Sequence, residues 1–415
     1  MESTALGVRG LSPPWYGLLL LPQGATTGFV TVMLGYVLTH NGVSVAAVAG
    51  LVSLVLLPQT WRFVMGPLLD LSLTAPRWYL LMMLALAATA AAFALAPLEP
   101  RSLPLLSVLC FLLGVTSNAA GSSAVAAMAA TTPNEKRGGV SGWMAVGNLG
   151  GIGLGGGLSL WIAVHAGGPK ASALVFAAAC LVCSAPMLRL LPLQRATAGE
   201  GGVFGAFKGV VGALWSLIRT RTGALVALVQ VLPASLGAAA NLLPSVAGDW
   251  RASADLVASM TGVLGGLAAL PGCVIGGYLC NHLPRRTVYV VSALACAFGE
   301  AGMALAPHTP ATFALFVLGN NLLLGVSWGA VGAVAYECLG PKAAATISSV
   351  LASLSNLPVV LVTALVGVVQ SRAGSNAMLL TEAGLGVASV AFYAVLATLW
   401  RPAATRPPLP EAAPA

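Results

Sequence analysis

The sequence predicts an all-α integral membrane protein of twelve transmembrane helices, arranged as two six-helix halves. Three observations predict it. Of the 415 residues, 58% are hydrophobic and only 7% are charged, whereas a soluble domain carries about a quarter charged residues. The chain divides into twelve apolar runs, each near the roughly 20 residues that a bilayer core demands of a helix. Its motifs also repeat at half the chain length, around one central polar break.

Composition already excludes several classes of protein. With a mean hydropathy of +0.92, packing the chain around one water-facing core would leave large apolar patches in solvent. A soluble enzyme, a nucleic-acid-binding domain and a disordered chain are therefore excluded. The net charge is +8, but the basic residues are thinly spread between apolar runs and read as topology signals rather than a nucleic-acid surface. The seven cysteines lie almost entirely inside those runs, and an odd count there argues against a disulfide scaffold. Cys180-x-x-Cys183 has metal spacing, yet no second pair and no His is near it, so both read as small apolar residues. No metal and no cofactor is expected.

The runs span 15–39, 44–69, 77–97, 104–130, 139–165 and 171–193, then 223–247, 254–281, 287–307, 310–336, 343–370 and 376–400. The first is too long for a signal-peptide core and reads as a retained span. The longest polar break, 194–222, separates an N-terminal half (1–193) from a C-terminal half (223–400). Inside it, Phe204, Phe207, Val211, Leu214 and Ile218 recur at helical spacing beside Lys208, Arg219 and Arg221. That pattern predicts an amphipathic helix lying in the membrane interface. The Pro-rich tail 401–415 is expected to be disordered.

Orientation follows from Lys and Arg. With the N-terminus inside, fourteen of them fall on the cytoplasmic side and four on the other, leaving Arg62 within a span. The positive-inside rule then puts both termini in the cytoplasm of a multi-pass protein of the cell membrane.

The repeat identifies the architecture. Gly66-Pro-Leu-Leu-Asp70, followed by Arg77, closes the second run; Gly277-Tyr-Leu-Cys-Asn281, followed by Arg285 and Arg286, closes the eighth, 211 residues later. Pro133 after the fourth run is echoed by Pro341 after the tenth. Two halves of like orientation are the parallel-repeat plan of a secondary transporter. The G-x-L-x-D…R pattern and its echo resemble the signature of the major facilitator superfamily, and the resemblance covers the whole chain. It implies that Gly66, Asp70, Arg77, Gly277, Asn281, Arg285 and Arg286 gate the cytoplasmic side. Asn281 departs from the Asp expected there.

Charge inside hydrocarbon costs about 2.5–3.5 kcal/mol on insertion scales and marks function by default. Arg62 lies eight residues before Asp70, about 12 Å along its helix. It is either a snorkelling or salt-bridged cation or one that binds an anionic group in a central cavity. Glu300, inside the ninth run, is either a carrier of coupled H⁺ or a neutral acid joining two helices. The uncharged polar residues Gln23, Asn118, Asn148, Gln230, Asn241, Asn320, Asn321 and Asn356 also lie within runs. Each can orient a polar solute or glue helices together. The resemblance implies that the spans holding them, 1, 4, 5, 7, 10 and 11, line the cavity, and Gln23, Asn118, Asn148, Gln230 and Asn356 are taken with Arg62 as solute-binding candidates.

Gly151–Gly156 contains G-x-G-x-x-G but lacks the strand before it and the acid after it that a dinucleotide site requires. Gly147, Gly151 and Gly155 instead recur every fourth residue, a pattern for close helix packing.

A narrower resemblance attaches to Trp61-Arg62-Phe63…Asp70, Pro133-Asn-Glu135-Lys136-Arg137-Gly138 and Ala345-Thr346…Ser355. These are similar to the AmpG muropeptide permeases and acetyl-CoA transporters, which implies proton-coupled symport of a muropeptide-like or siderophore-like solute. The acids expected in the fourth and seventh spans of that branch are missing here. The expected function is thus a secondary active permease moving a small polar organic solute, most simply as a monomer. An uncoupled facilitator or effluxer is the alternative. A membrane acyltransferase finds no catalytic constellation, since His40, His165, His282 and His308 stand singly.

Overall fold

The computed structural model describes residues 10–64, 73–193, 202–232, 234, 237–335 and 344–399. Among these the chain is helical, with no strand. Ten helices among the described residues are long and apolar enough to cross a membrane. Spans 1 to 6 are Pro13–His40, Val45–Val64, Ala75–Phe93, Pro100–Thr131, Asn134–His165 and Gly168–Leu190. Spans 8 to 10 are Ala254–His282, Arg285–Leu305 and Pro310–Ala335.

The last helix, Ala344–Leu399, has 56 residues, about 84 Å of α-helix. That is more than twice a bilayer core. It turns at Gly374 (φ 83°, ψ 176°), a backbone conformation that only glycine adopts without strain. Residues up to Gly374 form span 11 and those after it span 12.

Span 7 is not the single helix expected over 223–247. Helix Arg221–Val231 ends where Leu232 turns extended (φ −69°, ψ 134°), because the residue before a proline, here Pro233, is excluded from helical backbone. Gly237 follows with φ +66°. The chain then resumes as short turns, Ala240–Leu242, Leu243–Val246 and Ala247–Trp250. With this broken segment and the double last helix, the fold is consistent with twelve crossings.

A helix occupies Gly202–Arg219, where the amphipathic pattern predicts one, and the Arg219 guanidinium lies over the Trp215 ring at 5.0 Å. Gly66, Asp70 and the tail 401–415 lie outside the described residues. Leu84, Val182, Val274, Phe298 and Leu315 are all more than half exposed. On a soluble protein such a surface would aggregate; facing acyl chains it costs nothing.

Glycine sets the closest contacts. A Cβ on Gly147 would overlap the backbone of Gly17, one on Gly151 the Leu21 carbonyl, and one on Gly155 the backbone of Ala25. Spans 1 and 5 therefore meet backbone to backbone along the predicted every-fourth-residue stripe. Span 5 turns its next face, Gly153 and Gly157, to Gly262 and Ala258 of span 8. One glycine-rich helix so joins the first six spans to the last six.

Candidate functional site: a carboxamide-lined central cavity

A cavity of about 730 Å³ lies between the two sets of six spans, within the roughly 300–1,000 Å³ of small-molecule sites. The first six spans contribute Gln23, Thr27, Thr31, Gln59 and Asn148 to its wall. The last six contribute Gln230, Asn241, Thr261, Asn320, Asn321, Trp328, Ser355 and Asn356. No Asp, Glu, Lys, Arg or His is among the described lining residues.

Local irregularities expose this polar lining. Spans 1 and 8 each contain a π-helical stretch, Phe29–Leu34 and Ala258–Leu264, which rotates the helix locally and is common at functional sites. Each stretch supplies one wall threonine, Thr31 and Thr261. Span 7 delivers Gln230 just before its break and Asn241 just after it.

The carboxamides differ in what remains free. The Asn321 side-chain amide donates to the Val317 carbonyl at 2.8 Å, and that of Asn356 to the Ala352 carbonyl at 2.7 Å. Each bond uses a donor and leaves an acceptor oxygen. The buried side-chain oxygens of Gln230 and Asn320 have no donor from the protein. A buried acceptor left without a donor costs about 1–3 kcal/mol, so the wall favours a ligand that brings hydroxyl or N–H donors.

The two sets of spans also close on each other away from the termini. There Ala46 of span 2 donates its N–H to Ser371 Oγ of span 11 at 2.9 Å. His165 of span 5 meets Asp255 of span 8 at 3.4 Å. A Cβ on Gly35 of span 1 would stand 2.7 Å from Ser245 Oγ of span 7. The cavity walls run from mid-span toward the termini side, to Trp328 and Gly332 on span 10 and Leu351 on span 11.

Four of the six solute-binding candidates, Gln23, Asn148, Gln230 and Asn356, share this wall. Two do not. Asn118 is buried and donates to the Pro58 carbonyl at 3.0 Å, in the 3₁₀ stretch Leu57–Trp61 of span 2. Arg62 follows that stretch, next to Phe63, whose N–H donates to Ser353 Oγ of span 11 at 3.3 Å. It has no described carboxylate partner.

Of the described gating candidates, Arg77 and Asn281 are exposed. Arg285 donates to the Ala333 carbonyl at 3.3 Å, a cation at the C-terminal end of span 10 where the helix dipole favours one. Gly277 faces span 10, its N–H 3.2 Å from where a Cβ on Gly329 would stand. Arg286 lies in the first turn of span 9.

Glu300 is 5% exposed and lies outside the wall. Its neighbour is an acid that the sequence reading passed over: Glu382 of span 12, 4% exposed, interacts with it electrostatically. Gln59 was passed over too. Both carry the signal used for the others, a polar residue inside an apolar run.

A cavity between two six-span bodies that pack against each other on one side defines a membrane transporter rather than an enzyme. The description of the Major Facilitator Superfamily matches residues 17–363, and the chain belongs to that superfamily. No curated relative matches by sequence. Among solved structures the fold resembles the nucleoside transporter NupG, with a TM-score of 0.71 at 12% identity, covering 94% of this chain and 100% of that one. It also resembles the xylose transporter XylE from E. coli in a partially occluded inward open conformation. There the TM-score is 0.65 at 16% identity, over 91% of this chain and 96% of that one. A D-xylose-proton symporter gives 0.66 at 14%, over 91% and 96%. At such identities the likeness shows the fold alone.

Proposed function

We propose that this protein is a proton-coupled importer of an uncharged, donor-rich organic solute such as a sugar or nucleoside. The two halves, 1–193 and 223–400, rock about the cavity in a cytoplasmic membrane, with both termini inside and one chain per transporter. The observation that carries this reading is the wall itself, which is rich in carboxamides and hydroxyls and free of charge among the described residues. A buried charge on a solute needs an opposite charge to offset its desolvation, and the described lining offers none. It therefore favours a neutral solute over an anionic muropeptide or a siderophore complex. That the similar structures include a nucleoside and a xylose transporter agrees with this. Glu300 and Glu382 are the acids available for H⁺.

An uncoupled facilitator is the second reading, favoured because no Asp, Glu, Lys, Arg or His is among the described lining residues. The test is uptake into proteoliposomes of radiolabelled uridine, D-xylose and anhydro-muropeptide, with an imposed pH gradient and with a protonophore. Uptake of a neutral solute that collapses with protonophore supports the reading. Protonophore-insensitive uptake supports the facilitator, and uptake of the muropeptide alone overturns the solute class.

A further inference from the structure

The break in span 7 leaves backbone donors stranded. The N–H groups of Ala238 and Ala239 precede the first turn, Ala240–Leu242, and have no helical acceptor behind them. Both donate to Glu382, Ala238 to one carboxylate oxygen at 2.8 Å and Ala239 to the other. One buried side chain on span 12 thus holds the bend that places Asn241 in the cavity wall. Gly237 and Ala240, on either side of the held pair, also line the cavity, while Glu382 does not.

The charged surroundings of Glu382 are sparse. From span 9 it faces Glu300. Spans 9 and 12 meet at Ala297 and Gly386, where a Cβ on the glycine would stand 3.3 Å from the alanine Cβ, and each acid lies about one turn along from that contact. From span 7 it faces backbone N–H groups. Toward the closed side come Asp249, which accepts from Ser375, and His308, bonded to Asn376 at 2.9 Å. Those two partners lie about 10 Å along the helix from Glu382. Toward the termini side, Tyr289 and Tyr393 stack edge to face.

We infer that Glu382 is a positioning residue for the solute site, whose charge holds the bend of span 7 and whose protonation releases it. An ionised carboxylate accepts two N–H bonds at once, and charge-assisted bonds of this kind are roughly twice as strong as neutral ones. When Glu382 takes up one proton, one oxygen becomes a hydroxyl donor and the Ala238–Ala239 pair loses an acceptor. The bend loosens, and with it the wall around Asn241. Loss of the proton restores the hold, with Glu300 as the neighbouring acid to or from which the proton passes. Both oxygens of Glu382 are already turned to N–H donors, which leaves a proton rather than a metal cation as the ligand it accommodates.

The inference rests on the cavity being the solute site, but its test needs no solute. Hydrogen–deuterium exchange of the 232–246 segment in the purified full-length protein, corrected for intrinsic rates, is followed from pH 5 to 9. In the wild type, protection of Ala238 and Ala239 falls as pH falls. Glu382→Gln raises their exchange at high pH by at least about tenfold and abolishes the pH dependence, whereas Glu382→Asp keeps it. Glu300→Gln leaves the hydrogen bonds in place and shifts the pH at which protection is lost, which tests the idea even if Glu382→Gln does not fold. Protection that is independent of pH in the wild type, or as high in Glu382→Gln, overturns it. Failure of uridine and xylose uptake alongside the expected exchange pattern would remove the solute class and leave the role of Glu382 standing.

Discussion

The hydroxyl of Ser371 accepts the backbone N–H of Ala46 at 2.9 Å, linking spans 11 and 2 across 325 positions of sequence. It lies on the side where His165 meets Asp255, away from the termini, and every contact there has to break for the cavity to reach that side. A single hydrogen bond contributes about 1 kcal/mol. Ser371→Ala is therefore expected to shift the balance of closed to open forms by up to about fivefold. The check is the labelling rate of a Thr31→Cys reporter in a cysteine-free background, using an impermeant thiol reagent applied on that side. An unchanged rate would show that this bond does not hold the closure.

Close packing of spans 1 and 5 makes a second prediction. A Cβ on Gly24 would overlap the Asn148 carbonyl, and one on Gly28 the Ile152 carbonyl, while one on Gly150 meets nothing within 4 Å. Overpacking against backbone costs about 1–3 kcal/mol. Gly24→Ala and Gly28→Ala are expected to lower the thermal midpoint of the detergent-solubilised protein, and Gly150→Ala to leave it unchanged.

The solute site predicts a third. Asn320 has an unsatisfied buried oxygen, and Asn148 shares its wall. Truncation of either to Ala removes one hydrogen bond to a neutral solute and is expected to raise KM about three- to tenfold. Radiolabelled uptake over a concentration series separates this from a change in maximal rate.

Arg62 supplies a fourth, negative prediction. It is not in the wall, and its neighbour Phe63 bonds across to span 11. Arg62→Gln is expected to leave KM within about twofold of the wild type and to change the maximal rate instead. A large rise in KM would return Arg62 to the solute site and with it an anionic solute.

Much of the fold was legible because its causes are local. Run length against bilayer thickness marks the spans, and the fourfold spacing of Gly147, Gly151 and Gly155 marks a face that another backbone can approach. The break in span 7 was legible in part through Pro233, which forbids helix at Leu232, but the +66° turn at Gly237 depends on what packs around it. Residue type alone picked out Gln23 and Asn148, which line the cavity. The same criterion put Asn118 beside them, although that side chain donates to the Pro58 carbonyl of span 2.

By itself, then, the sequence determined that this chain belongs in a bilayer, and it set out the apolar runs and the motif repeat at half the chain length. Those properties follow from hydrophobic length and periodicity, which act within one helix. Only the tertiary structure decided which polar residues converge, since the wall draws on positions from Gln23 to Asn356, and no period within a helix says which face meets another. It also decided that Glu382 belongs to the bend at Ala238. The stranded N–H groups that attract a carboxylate exist only once span 7 has broken and span 12 has docked against it.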